Sequence, residues 1–212
     1  MKYIEDIKAM RKALFILFAL LFLQPAIAQT NDLTATEKET LKRAAQIKVD
    51  ELTNHISFIM RKSEYPDDVK NRHIKAALNL FMGKGKEYQD IYGNTKPAPQ
   101  MEVSSIDRSS GRVSKQSYPV SLYLQNIKHL NYDSIEVTSS KSSFYGDIHK
   151  ISENEYEAVL TFVQIFKGRM GDVDVYVDRT QKAVKVRMTR IPYEDSSRWE
   201  ILLGDTTVMV TE

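Results

Sequence analysis

Side chains that could take part in acid–base or metal chemistry are scattered along this sequence. The four histidines, His55, His73, His129 and His149, are the residues that titrate nearest to neutral pH. The first two fall in separate predicted helices, and the last two have no ligand partner at i+2 or i+4. This spacing does not match a metal site, so we expect the histidines to lie at the surface or between packed helices.

A group of carboxylates in the C-terminal part could supply oxygen ligands for a divalent cation. Its members are Asp172, Asp174, Asp178, Glu194 and Asp195. A calcium loop spaces its ligands as Asp-x-Asp-x-Asp-Gly with a distal Glu, and the sequence lacks that spacing. We therefore interpret these carboxylates as a solvated edge of the fold and predict neither a metal site nor a cofactor.

Two other stretches look like motifs of phosphate binding or nucleophilic catalysis. The segment Gly83-Lys84-Gly85-Lys86 follows a predicted helix, whereas a phosphate-binding loop needs a strand before its glycines and a helix after them. None of the serines stands in a Gly-x-Ser-x-Gly elbow or in a supported Ser-x-x-Lys helix start. We interpret the first stretch as a helix C-cap and the serines as local hydrogen-bonding residues of turns and edge strands.

Gln164 interrupts an otherwise apolar pattern. One face of its segment reads Tyr156, Ala158, Leu160, Phe162, Gln164 and Phe166. A buried amide on such a face needs hydrogen-bond partners, because leaving it unpaired is costly. A helix terminus or a bound water could supply them. Alternatively, Gln164, Tyr156 and Tyr176 are polar anchors of an apolar pocket that Phe162 and Phe166 help to line, and these five residues are our candidate ligand site.

The elements that must position these side chains begin with helices. Two overlapping capping boxes predict the start of the first helix, and an apolar residue then recurs every three or four positions to about Met60. The boxes pair Thr34 with Glu37 and Thr36 with Glu39, and the apolar stripe is Leu41, Ala45, Val49, Leu52, Ile56 and Ile59. A second helix is predicted from Pro66 to Phe81, ended by left-handed glycines, and Pro119 opens a short third helix.

After an irregular crossing at 92–99 the sequence becomes rich in β-branched and aromatic residues. The predicted strands are 100–106, 132–139, 144–150, 156–167, 174–178, 183–191, 199–203 and 206–211. Predicted hairpin turns at 168–171, 179–182 and 204–205 favour antiparallel neighbours. The fold class that follows is α+β, with N-terminal helices packed on one face of a curved antiparallel β-sheet.

This order of elements resembles the NTF2-like superfamily, whose cone-shaped, cystatin-like sheet wraps helices around a pocket. The resemblance covers about residues 36–211, and the texture of 156–166, 176–180 and 199–205 is similar to secreted members of the Bacteroidetes type. The superfamily includes isomerases, dehydratases, ligand-binding modules and domains that only bind partners. The resemblance therefore implies a pocket without naming a reaction, and it assigns no catalytic residue.

The first 28 residues have the features of a secretory signal peptide. Arg11 and Lys12 precede an apolar run of 11 residues, 13–23, and Ala26-Ile27-Ala28 supplies a small-x-small cleavage site. A permanent transmembrane helix needs about 20 apolar residues. We therefore expect cleavage after Ala28 and a single mature domain, 29–212, in the periplasm or outside the cell. Translation could start at Met1 or at Met10.

Charge and cysteine content limit the classes of partner. The first 28 residues hold four basic and two acidic residues, which leaves 26 of each in the mature chain. A neutral chain lacks the basic excess typical of nucleic-acid binding, so we expect no nucleic-acid partner. The absence of cysteine from the sequence excludes disulfides, zinc thiolate sites and thiol catalysis.

Three functional hypotheses follow. The first is an exported, non-enzymatic module that binds a small apolar ligand or a protein partner through a concave, mostly apolar pocket. The second is an isomerase or dehydratase that uses an acid–base pair inside the cone, which requires at least two ionisable groups facing one cavity. The third is a membrane-anchored assembly subunit with an uncleaved signal. The sequence leaves open the ligand, the choice between catalysis and binding, and whether the protein is a homodimer.

Overall fold

The computed structural model describes residues 32–61, 65–107, 109–193 and 196–212. The predicted signal peptide, Glu194 and Asp195 lie outside these residues. The helices are α1 (Ala35–Met60), α2 (Asp67–Leu78) and α3 (Val120–Lys128). The strands are β1 (Tyr88–Gln89), β2 (Thr95–Lys96), β3 (Gln100–Ile106), β4 (Val113–Pro119), β5 (Ser134–Ser139), β6 (Ser143–Phe144), β7 (His149–Lys150), β8 (Glu155–Met170), β9 (Val173–Tyr193) and β10 (Ser196–Thr211).

The first of the two predicted capping boxes starts α1. The Thr34 hydroxyl accepts a hydrogen bond from the Glu37 N–H at 3.2 Å, and the Glu37 carboxylate accepts one from the Thr34 N–H at 2.9 Å. These bonds satisfy backbone donors that the helix itself leaves free. The apolar stripe predicted for this helix, from Leu41 to Ile59, is buried, so both the start and the inward face of α1 are confirmed.

A tight turn of left-handed residues follows α2. Gly83, Lys84 and Gly85 have φ values of 60°, 52° and 74°. A Cβ atom on Gly85 would lie 2.4 Å from the Leu78 side chain. Glycine is therefore required at this position by backbone conformation and by packing together. The interpretation of this stretch as the C-cap of the second helix is wrong, because the C-cap of α2 is Asn79 and the glycines lie in a separate 3₁₀ turn, Met82–Gly85.

The helix α2 ends at Leu78, although the sequence pattern predicts that it continues to Phe81. The Leu80 carbonyl accepts a hydrogen bond of 2.8 Å from the Leu203 N–H, and Phe81 forms a parallel bridge with Leu203. The last apolar residues of the predicted helix therefore pair with the sheet. Tertiary pairing outweighs the local helical pattern at this point.

The main sheet has the order β4-β3-β10-β9-β8-β5, and β6 and β7 also pair with β8. All of its pairs are antiparallel except β10 with β3, where Thr206 pairs with Met101. The helix α1 contacts β5, β9 and β10, so the helices cover one face of the curved sheet. The predicted α+β class is confirmed, with one parallel pair added to the antiparallel sheet.

Two predicted turns are wrong, because each lies inside a long strand. The segment 179–182 is continuous β9 and pairs with 162–165 of β8. At 204–205 the pairing with β9 shifts by one residue, so these residues form a bulge within β10. Gly204-Asp205 and the polar run 179–182 have the composition of turns, but pairing with neighbouring strands continues β9 and β10 through them.

Two further differences concern strands. β4 was not predicted, and the predicted strand 144–150 is split between β6 and β7.

One apolar cluster joins α1, α3 and the inner faces of β8 and β9. Its largest fully buried members include Leu52, Ile56, Leu124, Leu160 and Met188. The predicted core face of β8 is confirmed, since its inward positions from Tyr156 to Gln164 are all buried. None of the described helices combines the length and apolar character needed to cross a membrane.

Candidate functional site

The inner face of β9 changes character along its length. Val184, Val186 and Met188 are fully buried in the core. The preceding inward positions of the same strand are Tyr176, Asp178, Thr180 and Lys182. Alternate residues of a strand share one face, so these polar side chains point to the same side as the three core residues. The change from apolar to polar marks the candidate site.

Two cross-strand pairs with β8 form the floor of the site, Gln164 with Thr180 and Phe166 with Asp178. Next to them Lys182 pairs with Phe162, which is buried outside the cavity lining. Paired residues in antiparallel strands have Cβ atoms about 5 Å apart, so each charged group of β9 lies directly beside an aromatic side chain. The floor thus carries polar groups at fixed spacing, with aromatic side chains beside the charged ones.

A cavity with a volume of about 350 Å³ lies over this floor and opens to solvent. The helix α3 supplies Tyr123 and Ile127, the next loop supplies Leu130 and Tyr132, and β3 supplies Val103. Most of the lining is apolar. Sites for small molecules commonly have about 300–1,000 Å³ and this combination of apolar walls with a few polar groups.

Lys182 brings a buried amine into the cavity wall. The residue is 4% exposed, and its Nζ lies 5.6 Å from the centre of the Tyr123 ring. It has no hydrogen bond or ion pair with any residue in the described ranges. Burial lowers the pKa of the Lys182 amine to about 8, although the charges of Asp178 and Glu102 act in the opposite direction.

Asp178 and Tyr176 form a hydrogen-bonded pair in the same cavity. The Tyr176 hydroxyl donates to the Asp178 carboxylate at 2.8 Å. Burial raises the pKa of Asp178, and the hydrogen bond from Tyr176 opposes that shift. Burial and then the contact with Asp178 raise the pKa of Tyr176 to about 12. The phenol of Tyr176 therefore keeps its proton at neutral pH and donates it in the hydrogen bond to Asp178.

Gln164 is buried at 6% exposure, and its Nε2 atom has no hydrogen-bond partner among the described residues. A buried amide donor without a partner is costly. Because Gln164 lines the cavity, a bound molecule or water can satisfy this donor.

The structure brings together three of the five residues proposed from the sequence. Gln164, Phe166 and Tyr176 line the cavity. Tyr156 instead packs edge-on against Trp199 in the core, with ring centres 5.7 Å apart, and Phe162 is buried outside the cavity lining at 3% exposure. The alternation along β8 was correct, but it did not show where along that face the cavity begins.

Sequence reasoning missed Lys182, Thr180 and Asp178 as site residues. The first two fell in a predicted turn, and Asp178 was interpreted as part of a solvated edge, which is wrong because it is half-buried in the cavity. The sequence does contain a pattern that could have identified them. All three lie an even number of residues before Val184 and Val186, so a single strand that included them would have placed them on the core face.

The other acidic candidates lie elsewhere. Asp172 and Asp174 are exposed near the β8–β9 connection, and Asp174 accepts a hydrogen bond of 2.6 Å from Arg169. In the described ranges, no group of three or more His, Asp or Glu side chains could hold a metal ion.

The histidines take the positions expected from their spacing. His55 and His73 lie between α1 and α2, with their Nδ1 atoms 3.0 Å apart, and His55 also lies 3.8 Å from Glu51. Burial and the neighbouring His73 lower the pKa of His55. His129 and His149 are exposed. The first two thus act in helix packing.

No family model matches the chain, and no curated protein matches it in sequence. Among solved structures, it is similar to a scytalone dehydratase-like protein from Novosphingobium aromaticivorans, with 11% identity, a TM-score of 0.43, and coverage of 84% of this chain and 90% of the other. It is also similar to a hexachlorocyclohexane dehydrochlorinase, LinA type 2, with 8% identity, a TM-score of 0.39, and coverage of 82% and 90%. These values describe a partial likeness in the path of the chain.

Proposed function

We infer that the protein binds a small, mostly apolar molecule that carries an oxygen acceptor. The observation that supports this most directly is the pairing of an apolar cavity with a buried amide donor that lacks a partner. The Gln164 Nε2 has no hydrogen-bonded acceptor in the described residues, and the Lys182 amine in the same cavity wall lies over the ring of Tyr123. Buried donors are normally satisfied, so an acceptor on a ligand fits this end of the cavity.

A cavity-filling substitution tests this proposal. Val103→Phe adds an aromatic ring to the cavity wall and should abolish the binding of a small apolar alcohol such as heptan-1-ol, measured by titration calorimetry. Val177→Phe is the matched control, because Val177 lies on the outer face of β9 and is 43% exposed. Equal binding by both variants, or no binding by the unmodified protein, would contradict the proposal.

A second candidate function is acid–base conversion of the isomerase or dehydratase type. It requires two ionisable groups facing one cavity, and Asp178 and Lys182 both line this one. Burial shifts both pKa values toward neutrality, the carboxyl upward and the amine downward, as is common for catalytic acids and bases. The Tyr176 hydroxyl adds a fixed donor beside Asp178.

Proton exchange separates this candidate from simple binding. If Asp178 removes a proton next to a carbonyl, a small ketone incubated in D₂O should exchange that proton for deuterium, which NMR detects. Asp178→Asn keeps the shape of the side chain and should stop the exchange while binding continues. Exchange at equal rates in both proteins would count against Asp178 as the base.

We also propose that the domain works outside the cytoplasm after removal of residues 1–28. The charged start, short apolar run and small-x-small site support this location. N-terminal sequencing of the protein from its native cells should give Gln29 as the first residue. An intact N-terminus in the membrane fraction would instead favour the anchored assembly subunit.

A further inference from the structure

Lys182 differs from a second buried lysine in having no acidic partner in contact. Lys128, whose side chain is 8% exposed, pairs with Asp67 at 2.8 Å. Lys182 has neither an ion pair nor a hydrogen bond within the described ranges, and it borders an open cavity. A structural lysine of this kind would be expected to have its charge compensated. The carboxylates of Asp178 and Glu102 act on the Lys182 amine without forming an ion pair, so its charge is only partly compensated and the neutral amine becomes accessible.

The neutral amine is accessible under mild conditions. Burial brings the pKa of Lys182 to about 8, so roughly half of the amine is unprotonated at pH 8, whereas an exposed lysine with a pKa near 10.4 is almost fully protonated. Desolvation in an apolar pocket is one of the ways in which proteins make a lysine nucleophilic. The geometry therefore supplies a nucleophile as well as a binding site.

We propose that Lys182 forms a reversible imine with a small apolar aldehyde or ketone bound in the cavity. This proposal rests on the proposed ligand-binding function and names the ligand's acceptor group as a carbonyl. The apolar walls, including Val103, Ile127 and Leu130, fit an aliphatic or aromatic body without charge.

The chemistry needs no group from outside the protein and its ligand. The lone pair of Nζ attacks the carbonyl carbon, the C=O electrons move to oxygen, and one N–H proton passes to that oxygen to give a carbinolamine. Loss of the hydroxyl together with the remaining N–H proton releases one water and leaves a C=N bond. Addition of water reverses the sequence and returns the carbonyl compound. Gln164, whose Nε2 has no partner among the described residues, lines the same cavity as Lys182 and would donate to the carbinolamine oxygen.

Reductive trapping tests the proposal on the purified protein. We would incubate it with heptanal at pH 7.5, reduce any imine with sodium cyanoborohydride, and locate the added mass by peptide mapping. Lys182 should be labelled at least about tenfold faster than Lys185, an exposed lysine on the opposite face of the same strand. Heptan-1-ol, which has the same chain but no carbonyl, should compete and suppress the labelling.

Variants of Lys182 and Lys185 distinguish imine formation at Lys182 from ligand binding alone. Lys182→Arg keeps the charge and Lys182→Met removes it; both should lose the adduct, while Lys185→Met should keep it. If a variant fails to fold, the peptide map of the unmodified protein still decides. Binding of heptan-1-ol without an adduct on Lys182 would overturn imine formation and leave the binding function standing. Binding of neither compound would overturn both.

Discussion

The two ends of β9 face the same side of one sheet, yet they serve different purposes. From Val184 to Met188 the inward side chains are apolar and fully buried against the core. From Tyr176 to Lys182 they are polar and line a cavity. The backbone pairing with β8 continues through both segments, so the difference lies in the side chains alone. The apolar end of the strand stabilises the fold, whereas the polar end forms the candidate site and is expected to lower the stability.

The largest effect should come from the packed end. Leu160 pairs with Val184 and is fully buried, so Leu160→Ala leaves a space that the surrounding core fills only in part. We expect the free energy of unfolding in urea to fall by about 2–5 kcal/mol. Ligand binding, measured under conditions where the variant is folded, should stay nearly unchanged. A loss below about 1 kcal/mol would mean that this end is less tightly packed than its burial indicates.

At the other end, replacing a polar side chain should stabilise the fold. Lys182→Met removes a buried charge and keeps the length of the side chain, so we expect a gain of about 1–3 kcal/mol at pH 7. The surface variant Lys185→Met should change the stability by less than about 0.5 kcal/mol. A destabilised Lys182→Met protein would show that the amine contributes to packing and would break the contrast between the two ends.

The stability gained by Lys182→Met should depend on pH, and the sign of this dependence follows from the direction of the pKa shift of Lys182. The pKa of Lys182 falls from 10.5 to about 8 on folding, so between these values the unfolded chain binds more protons than the folded chain. The contribution of this group to stability therefore rises as the pH increases through that window. Urea unfolding at several pH values should show the advantage of Lys182→Met shrinking between pH 8 and 10.5. A constant advantage would contradict the assigned protonation.

The same contrast explains what the sequence could and could not reveal. Apolar alternation predicted the core face of β8 and the stripe of α1, because burial selects side chains at the period of the element. The run Arg179-Thr180-Gln181-Lys182 was predicted to be a turn, because polar residues normally leave the core. Here Thr180 and Lys182 face inward because a cavity and not a packed core lies beside them. The error in the predicted secondary structure thus falls on the functional segment, where local rules are most often violated.

Contacts between residues far apart in the chain could not be predicted from the local sequence pattern either. Nothing local distinguishes the bulge at 204–205 from a hairpin turn, since glycine and aspartate suit both. The Asp205 carboxylate accepts a hydrogen bond of 2.9 Å from the Gln100 N–H, a residue about a hundred positions earlier. This contact connects the bulge of β10 with the start of β3. Only the assembled sheet determines that partner.

A smaller effect should come from Gln164, the one polar inward residue of β8 between Tyr156 and Phe166. Gln164→Leu removes the Nε2 donor that has no partner among the described residues, so the free energy of unfolding should rise by about 1 kcal/mol. The same change should weaken the binding of heptan-1-ol, because a donor to its oxygen is lost. Unchanged stability together with unchanged binding would indicate that Gln164 is satisfied by water and takes no part in the site.

The contact between His55 and His73 in the helix layer should have the smallest effect. His55 contacts His73 and Glu51, and burial, together with His73, lowers its pKa below 6.5 while Glu51 opposes the shift. The unfolded chain therefore binds more protons just below pH 6.5, and stability should fall by about 1 kcal/mol or less as the pH drops from 6.5 to 5. His55→Gln should flatten this part of the stability curve, and the exposed His149→Gln should not. Equal slopes in the two variants would show that protonation of His55, at the contact between α1 and α2, does not affect the free energy of unfolding in this pH range.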